Sequence, residues 1–205
     1  MRDQGLSPLD QVPAPAPDPV LDPVEINAGT WYLRGPRHDG RVDDRPAVAA
    51  SCRDPEIRRW RNRPDPAAPD FDEQVTAHVA DRIDGWARGT RCAWAVAEPT
   101  TGEMLGEITL EHLDIAHGTA ELRCWTLPGA RGRGLARTAA GAVVRFAFGG
   151  LGLHRVTWMH AEPNRASAAV AAALGFVPEG RLREAWTVDG ERVDVVVLGR
   201  LVGEG

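Results

Sequence analysis

The 205-residue sequence contains no lysine; all 24 of its basic residues are arginine. That absence excludes several chemistries at once. A P-loop needs a lysine on the β/γ-phosphates, a protein kinase needs one on its third strand, and a pyridoxal phosphate enzyme needs one for its Schiff base. Serine is almost as scarce, at Ser7, Ser51 and Ser167, and none stands in a G-x-S-x-G elbow, which argues against an α/β-hydrolase. The three cysteines, Cys52, Cys92 and Cys124, are far apart with no C-x-x-C between them, so they read as reduced core thiols. The six histidines include no H-E-x-x-H, and His112 and His117 are spaced for neither one helix face nor a finger, so no metal site is expected. No apolar run approaches the roughly 20 residues of a membrane span, and no membrane association is expected. A basic excess is missing too: the net charge of -5 and pI of about 5.7 speak against general nucleic-acid or anionic-membrane binding.

What is present fits one folded domain. With 43% hydrophobic and 26% charged residues the composition is that of an ordinary globular protein, and the length suffices for a sizeable core. Residues 1–27 hold Pro8, Pro13, Pro15, Pro17, Pro19 and Pro23 with few large apolar side chains, and read as an extended tail ahead of a domain over 28–202. The start lacks the charge and apolar stretch of a secretory signal and is not an Arg-rich transit peptide, so the cytoplasm is the expected compartment.

Periodicity supplies the elements. A short strand is expected over 30–34, a helix over 43–52, and another from Pro55 to Trp60 with Asp54 as its cap. Arg58, Arg59, Arg61 and Arg63 crowd the end of that helix, either as a solvated terminus whose cations offset the dipole or as a patch facing a substrate or RNA. Residues 71–86 repeat apolar side chains at three- to four-residue spacing. From Arg91 the period becomes two, giving strands over 92–97, 104–110 and 119–127. An Ala-rich helix over 135–151, a strand over 155–161 and a helix over 165–174 follow. Strands over 176–186 and 192–201 close the chain as a hairpin across Asp189-Gly190.

Between the strand ending at Leu127 and the helix starting near Leu135 stands Arg131-Gly132-Arg133-Gly134-Leu135-Ala136. Two glycines there let several backbone N–H groups converge at the positive end of a helix, which suits a pyrophosphate. A dinucleotide fingerprint would need a small residue where Arg137 stands. In this context Arg131-x-x-Gly134-x-Ala136 resembles the R/Q-x-x-G-x-G/A acetyl-coenzyme A signature of the GNAT N-acetyltransferases. Asn164-Arg165-Ala166-Ser167 followed by Leu174-Gly175-Phe176 resembles a second family segment. Glu121-Leu122 with Trp125 before Pro128, Leu153-His154-Arg155-Val156, and Asp54-Pro55-Glu56-Ile57 are similar to the RimJ/RimL branch, which acetylates protein N-termini.

The resemblance covers roughly residues 30–201. It implies an α/β fold, a mixed and mostly antiparallel sheet of about seven strands flanked by helices. It also implies acetyl-CoA as acyl donor and direct transfer to a primary amine without a covalent enzyme intermediate. The pantetheine arm would lie in a gap between two splayed strands, along backbone around Trp125 to Leu127. Amides from Gly132 through Gly134, Leu135 and Ala136 to Arg137 would take the pyrophosphate, Arg133 or Arg137 adding charge-assisted bonds. Asn164 would bond the coenzyme or order its turn. The tyrosine that serves many relatives as acid matches Ala171 here, and the chain's one tyrosine, Tyr32, is distant in sequence. Ser167 is therefore the implied acid. Glu121 is the first candidate base and His160 the second; Glu111 and His112 close the list, reading more simply as solvated strand-end residues. Trp31, Trp86, Trp94, Trp158 and Trp186 read as core or groove walls.

The acceptor stays open between a protein or peptide N-terminus and a small molecule such as an aminoglycoside or polyamine, for which Asp43, Asp44, Asp70, Asp72 and Glu73 are candidate contacts. A non-catalytic acyl-CoA-binding module and an RNA-associated protein using Arg53 to Arg63 are the competing classes. A homodimer is compatible with such a chain, and the sequence does not fix the oligomeric state.

Overall fold

The computed structural model describes residues 21–204. Eight strands form one sheet in the order β1-β2-β3-β4-β5-β6-β8-β7. They are β1 (Ile26–Asn27), β2 (Tyr32–Arg34), β3 (Cys92–Ala97), β4 (Met104–Asp114), β5 (Thr119–Thr126), β6 (Arg155–Ala161), β7 (Val177–Val188) and β8 (Glu191–Leu201). Five helices join them: α1 (Arg45–Arg53), α2 (Pro55–Trp60), α3 (Phe71–Ala87), α4 (Leu135–Gly149) and α5 (Arg165–Ala173). The α/β class and the mostly antiparallel sheet agree with the sequence. The strand beyond the expected seven is β1, which pairs only Ile26 with Leu33 and Asn27 with Tyr32.

Local chemistry explains the boundaries. Asp54 accepts from the Ile57 N–H at 2.8 Å and Pro55 opens α2, as expected from the sequence. Asn164 caps α5 by accepting from the Ser167 N–H at 3.0 Å. Asp189 and Gly190 both adopt positive φ, 52° and 82°, the geometry that closes a two-residue hairpin between β7 and β8.

Side chains of alternate parity leave the sheet on opposite faces. On one face Trp94, Ile108, Leu122, Val156 and Trp158 pack against Leu135, Ala139, Val143 and Ala147 of α4. On the other, Ala95, Met104 and Trp125 pack against Val48 of α1 and Phe71, Val75 and Val79 of α3. Trp86, Trp94 and Phe146 close the first layer with edge-to-face contacts at centroid distances of 4.9 and 5.6 Å.

Two sequence expectations change here. Residues 1–20 of the Pro-rich segment lie outside the described residues, but 21–27, assigned to the tail, run along the domain. The Leu21 N–H donates to the Trp86 carbonyl at 3.2 Å, the Trp94 indole donates to the Val24 carbonyl at 2.6 Å, and Leu21 and Ile26 pack on the core. Apolar residues between the prolines supply that anchorage. Glu111 is not a solvated strand end; it is buried and paired with Arg82 and Arg91, while His112 is exposed.

The feature that positions the site is the single parallel pair, β5 with β6. Its register runs from Thr119↔Arg155 to Glu121↔Thr157 and stops, although β5 continues to Thr126 and β6 to Ala161. Each strand keeps its outer partner to the end, β4 beside β5 and β8 beside β6. The two strands therefore part, leaving a gap with unpaired strand edges. No helix among the described residues is long and apolar enough to cross a membrane.

Candidate active site

A cleft of about 1560 Å³ follows this gap. Its lining includes the turn before α4, α2 with the segment after it, and the β7–β8 hairpin tip, where Arg59 pairs with Asp189 at 2.9 Å.

At the turn before α4, Gly132 and Gly134 have φ of 71° and 77°, a conformation that disfavours any side chain. A Cβ at Gly132 would meet nothing within 4 Å, so the space above the turn is open. The Thr138 N–H donates to the Gly134 carbonyl, but the amides of residues 132–137 have no backbone acceptor among the described residues. Six consecutive donors thus stand free at the start of a 15-residue helix, an arrangement complementary to phosphate oxygens. Leu135 is buried beneath them, and Ala136 leaves the helix face toward the cleft open. Among the arginines Arg137 lines the cleft, Arg131 pairs with Asp54, and Arg133 lies over the Trp31 ring at 4.8 Å, outside the cleft lining.

Along the gap, the Leu127 N–H donates to the Leu105 carbonyl of β4. By antiparallel alternation the main-chain groups of Glu121, Arg123 and Trp125 also face β4, whereas those of Leu122, Cys124 and Thr126 face the gap. The sequence placed this edge at Trp125 to Leu127; the register turns Cys124 and Thr126 to the gap, the Cys124 carbonyl being bonded by Arg61. Leu127 itself packs with the α1 layer and does not line the cleft.

The expected catalytic residues reach the cleft from both faces. Ser167 Oγ accepts from the Trp158 indole at 2.9 Å, which leaves its own proton free to donate. Asn164 uses its side-chain oxygen on the Ser167 N–H, which is the turn-ordering role. His160, buried on the face of Trp158, is bonded through Nδ1 to the Ala161 carbonyl at 2.8 Å. Donation through Nδ1 leaves the Nε2 lone pair open. Glu121 stands on the opposite face, bound at 2.7 and 3.1 Å by the Arg123 guanidinium. Ala171, at the family's tyrosine position, is fully buried, and Tyr32 donates to Glu25 away from the cleft.

Sequence reasoning missed Glu107. Buried on β4, it accepts from the Trp125 indole at 3.1 Å and meets His78 and Arg82, each at 3.4 Å. Burial alone would raise its pKa, yet the His78 hydrogen bond and the charges of Arg82, His78 and Arg63 outweigh it and hold the carboxyl far below the usual range. The signal was there: Glu107, Thr109 and Glu111 alternate along β4, and His78 and Arg82 recur at i, i+4 on α3.

Arg58 and Arg59 are exposed at the end of α2, as in a solvated terminus, but Arg61 and Arg63 are not. Arg61 turns inward and donates to the Cys124 carbonyl at 2.8 Å, and Arg63 lies over the Trp125 ring at 5.1 Å. Burial pulls the Arg61 pKa down to about 10. Arg53 lies over Phe71, Arg58 faces Asp65 and Arg59 bonds Asp189. The five tryptophans divide as expected, with Trp31, Trp86, Trp94 and Trp158 buried and Trp186 on the cleft wall.

Comparison with known proteins agrees with this architecture. Residues 33–177 match the family described as the acetyltransferase (GNAT) domain. The chain is 33% identical over 103 residues to YdaF of Bacillus subtilis strain 168, a provisionally assigned ribosomal N-acetyltransferase, covering 50% of this chain and 56% of YdaF. The match thus spans little more than half of that relative. It is 25% identical over 136 residues to the spermidine N(1)-acetyltransferase of Vibrio cholerae, covering 66% and 74% of the two chains. The RimJ structure from Mycobacterium smegmatis, in complex with CoA-disulfide, superposes with a TM-score of 0.70 at 21% identity over 89% of this chain and 87% of that one. With the family domain matched over most of its length, the chain belongs to the GNAT acetyltransferases.

Proposed function

We propose that the chain transfers an acetyl group from acetyl-CoA to a primary amine in a single ternary complex, with a protein or peptide N-terminus as the favoured acceptor class. The observation that carries this is the run of six free amides at residues 132–137, continuous with the open edge of β5. The turn fits a pyrophosphate, and the gap offers strand-like pairing to an amide-bearing arm. When bound, acetyl-CoA supplies the acyl group as a thioester with a thiolate as leaving group.

The chain's own residues would do the rest. The Cys124 N–H, facing the gap, polarises the thioester carbonyl and stabilises the negative charge that develops on its oxygen. Glu121, oriented by Arg123, accepts the proton lost by the amine as the C–N bond forms. Ser167 donates its proton to the sulfur as the C–S bond breaks, its oxygen held by the Trp158 indole. Base and acid then reach the tetrahedral intermediate from opposite faces of the sheet, Glu121 at the amine that has added and Ser167 at the sulfur that is expelled. His160, on the Ser167 face with Nε2 open, is the second candidate base. YdaF's ribosomal assignment supports the N-terminal acceptor, and the spermidine enzyme supports a small amine as the alternative.

The test is thiol release from acetyl-CoA against a panel of peptides and small amines. Turnover with at least one amine, reduced about 100-fold in kcat by Glu121→Gln, is expected. Tight acetyl-CoA binding without turnover of any amine would make the chain a binding module.

A further inference from the structure

The charges of the cleft are unequal. Eleven arginines line it against five acidic side chains, although the whole chain carries a net charge of -5. Four of those acids have a cationic partner, and Glu56 has only a neutral one. Glu107 meets Arg82 and His78, Glu111 meets Arg82 and Arg91, Glu121 meets Arg123, Asp189 meets Arg59, and Glu56 accepts from the Trp60 indole. Only Glu56 is left without a cation to receive an incoming polycation.

The reverse holds for two arginines. Among the described residues neither Arg61 nor Arg63 comes within 4.0 Å of a carboxylate. The Arg61 guanidinium has one acceptor, the Cys124 carbonyl at the point where β5 parts from β6. Arg63 has only the Trp125 ring and a 3.4 Å approach to His78, and its Nε is buried without a partner. A guanidinium removed from water without an anion is costly, and an oxyanion brought beside it offsets that cost with charge-assisted, bidentate bonds. Both groups line the cleft and are anchored on β5, at Cys124 and Trp125.

We propose that Arg61 and Arg63 form an anion pocket beside the reacting centre, so that the accepted amine belongs to a molecule carrying a carboxylate or phosphate close to its amino group. The proposal rests on the acetyltransferase function above and names its substrate class. Polyamines and aminoglycosides are the wrong charge for this pocket.

The test uses the full chain, acetyl-CoA and amine pairs that differ only in charge. Peptides beginning with Asp are compared with those beginning with Asn, and phosphoethanolamine is compared with ethanolamine, with spermidine as the polycation. The expected result is a kcat/KM at least 10-fold higher for the charged member of one pair, falling toward parity in Arg61→Met. The peptide pair reports a carboxylate source and the other pair a phosphate source. The wild-type preference should also shrink as salt rises, a readout independent of whether the variant folds. Equal use of both members, or spermidine as the best acceptor, would overturn the anion pocket while leaving the acetyltransferase function standing. A preference that survives in a folded Arg61→Met would remove the pocket from Arg61. Transfer to none of these amines, with acetyl-CoA still bound, would take down the acetyltransferase function and the pocket with it.

Discussion

At Ser167 the hydroxyl oxygen accepts from Trp158 while the backbone N–H is held by Asn164, so the group is fixed at two points with one proton to give. Ser167→Ala should lower kcat about 100-fold, with little change in the affinity for acetyl-CoA, in a steady-state assay. Glu107 is different, because its work is structural. Glu107→Gln leaves Arg82 and His78 facing a neutral group and should cost about 3 kcal/mol in urea denaturation at pH 7. The folded pKa of Glu107 is depressed, so its contribution is complete above the ordinary value of 4.5 and drains away as pH falls from there toward the folded value. Wild type and variant should therefore converge in stability in acid. The sequence exposed Ser167 and Glu121 because each sits in a recognisable local string. Glu107 and Arg61 depend on partners 18 or more residues away, and such pairings leave only a weak alternation in the sequence.

Among the elements, β4, β5 and α4 meet at Gly106. A Cβ there would lie 2.5 Å from the Trp125 carbonyl and 3.3 Å from Leu135, so glycine is needed for close approach of the two strands. Gly106→Ala should cost about 2 kcal/mol and weaken acetyl-CoA binding, since Leu135 opens the helix that carries the free amides. Denaturation and titration of the same variant test both parts. Element types and order were legible from period and punctuation: the Asp54 cap, the glycines at 132 and 134, and the Asp189-Gly190 turn each appear where their backbone demands them. The point where β5 leaves β6 was not legible, because pairing register arises from contacts between distant strands rather than from either strand alone. That is why the open edge was placed one residue late.

For the whole molecule, the N-terminal boundary and the distribution of charge are the two properties that composition obscured. Prolines around residue 20 suggest a tail, yet Leu21, Val24 and Ile26 tie the chain to Trp86, Trp94 and β2. A chain starting at residue 28 should be about 2 kcal/mol less stable than one starting at residue 21, since the Trp94 indole loses its acceptor. Thermal unfolding of the two truncations measures the difference. A net charge of -5 likewise conceals a cleft rich in arginine, because the acidic residues lie mostly elsewhere on the surface. The central claim is that the gap between β5 and β6 and the amides at residues 132–137 together hold acetyl-CoA. Calorimetric titration of acetyl-CoA into wild type and into Gly134→Trp tests it most directly. Binding in the micromolar range that is lost in a folded Gly134→Trp is the predicted result; no binding to folded wild type, or equal binding to both, would contradict it.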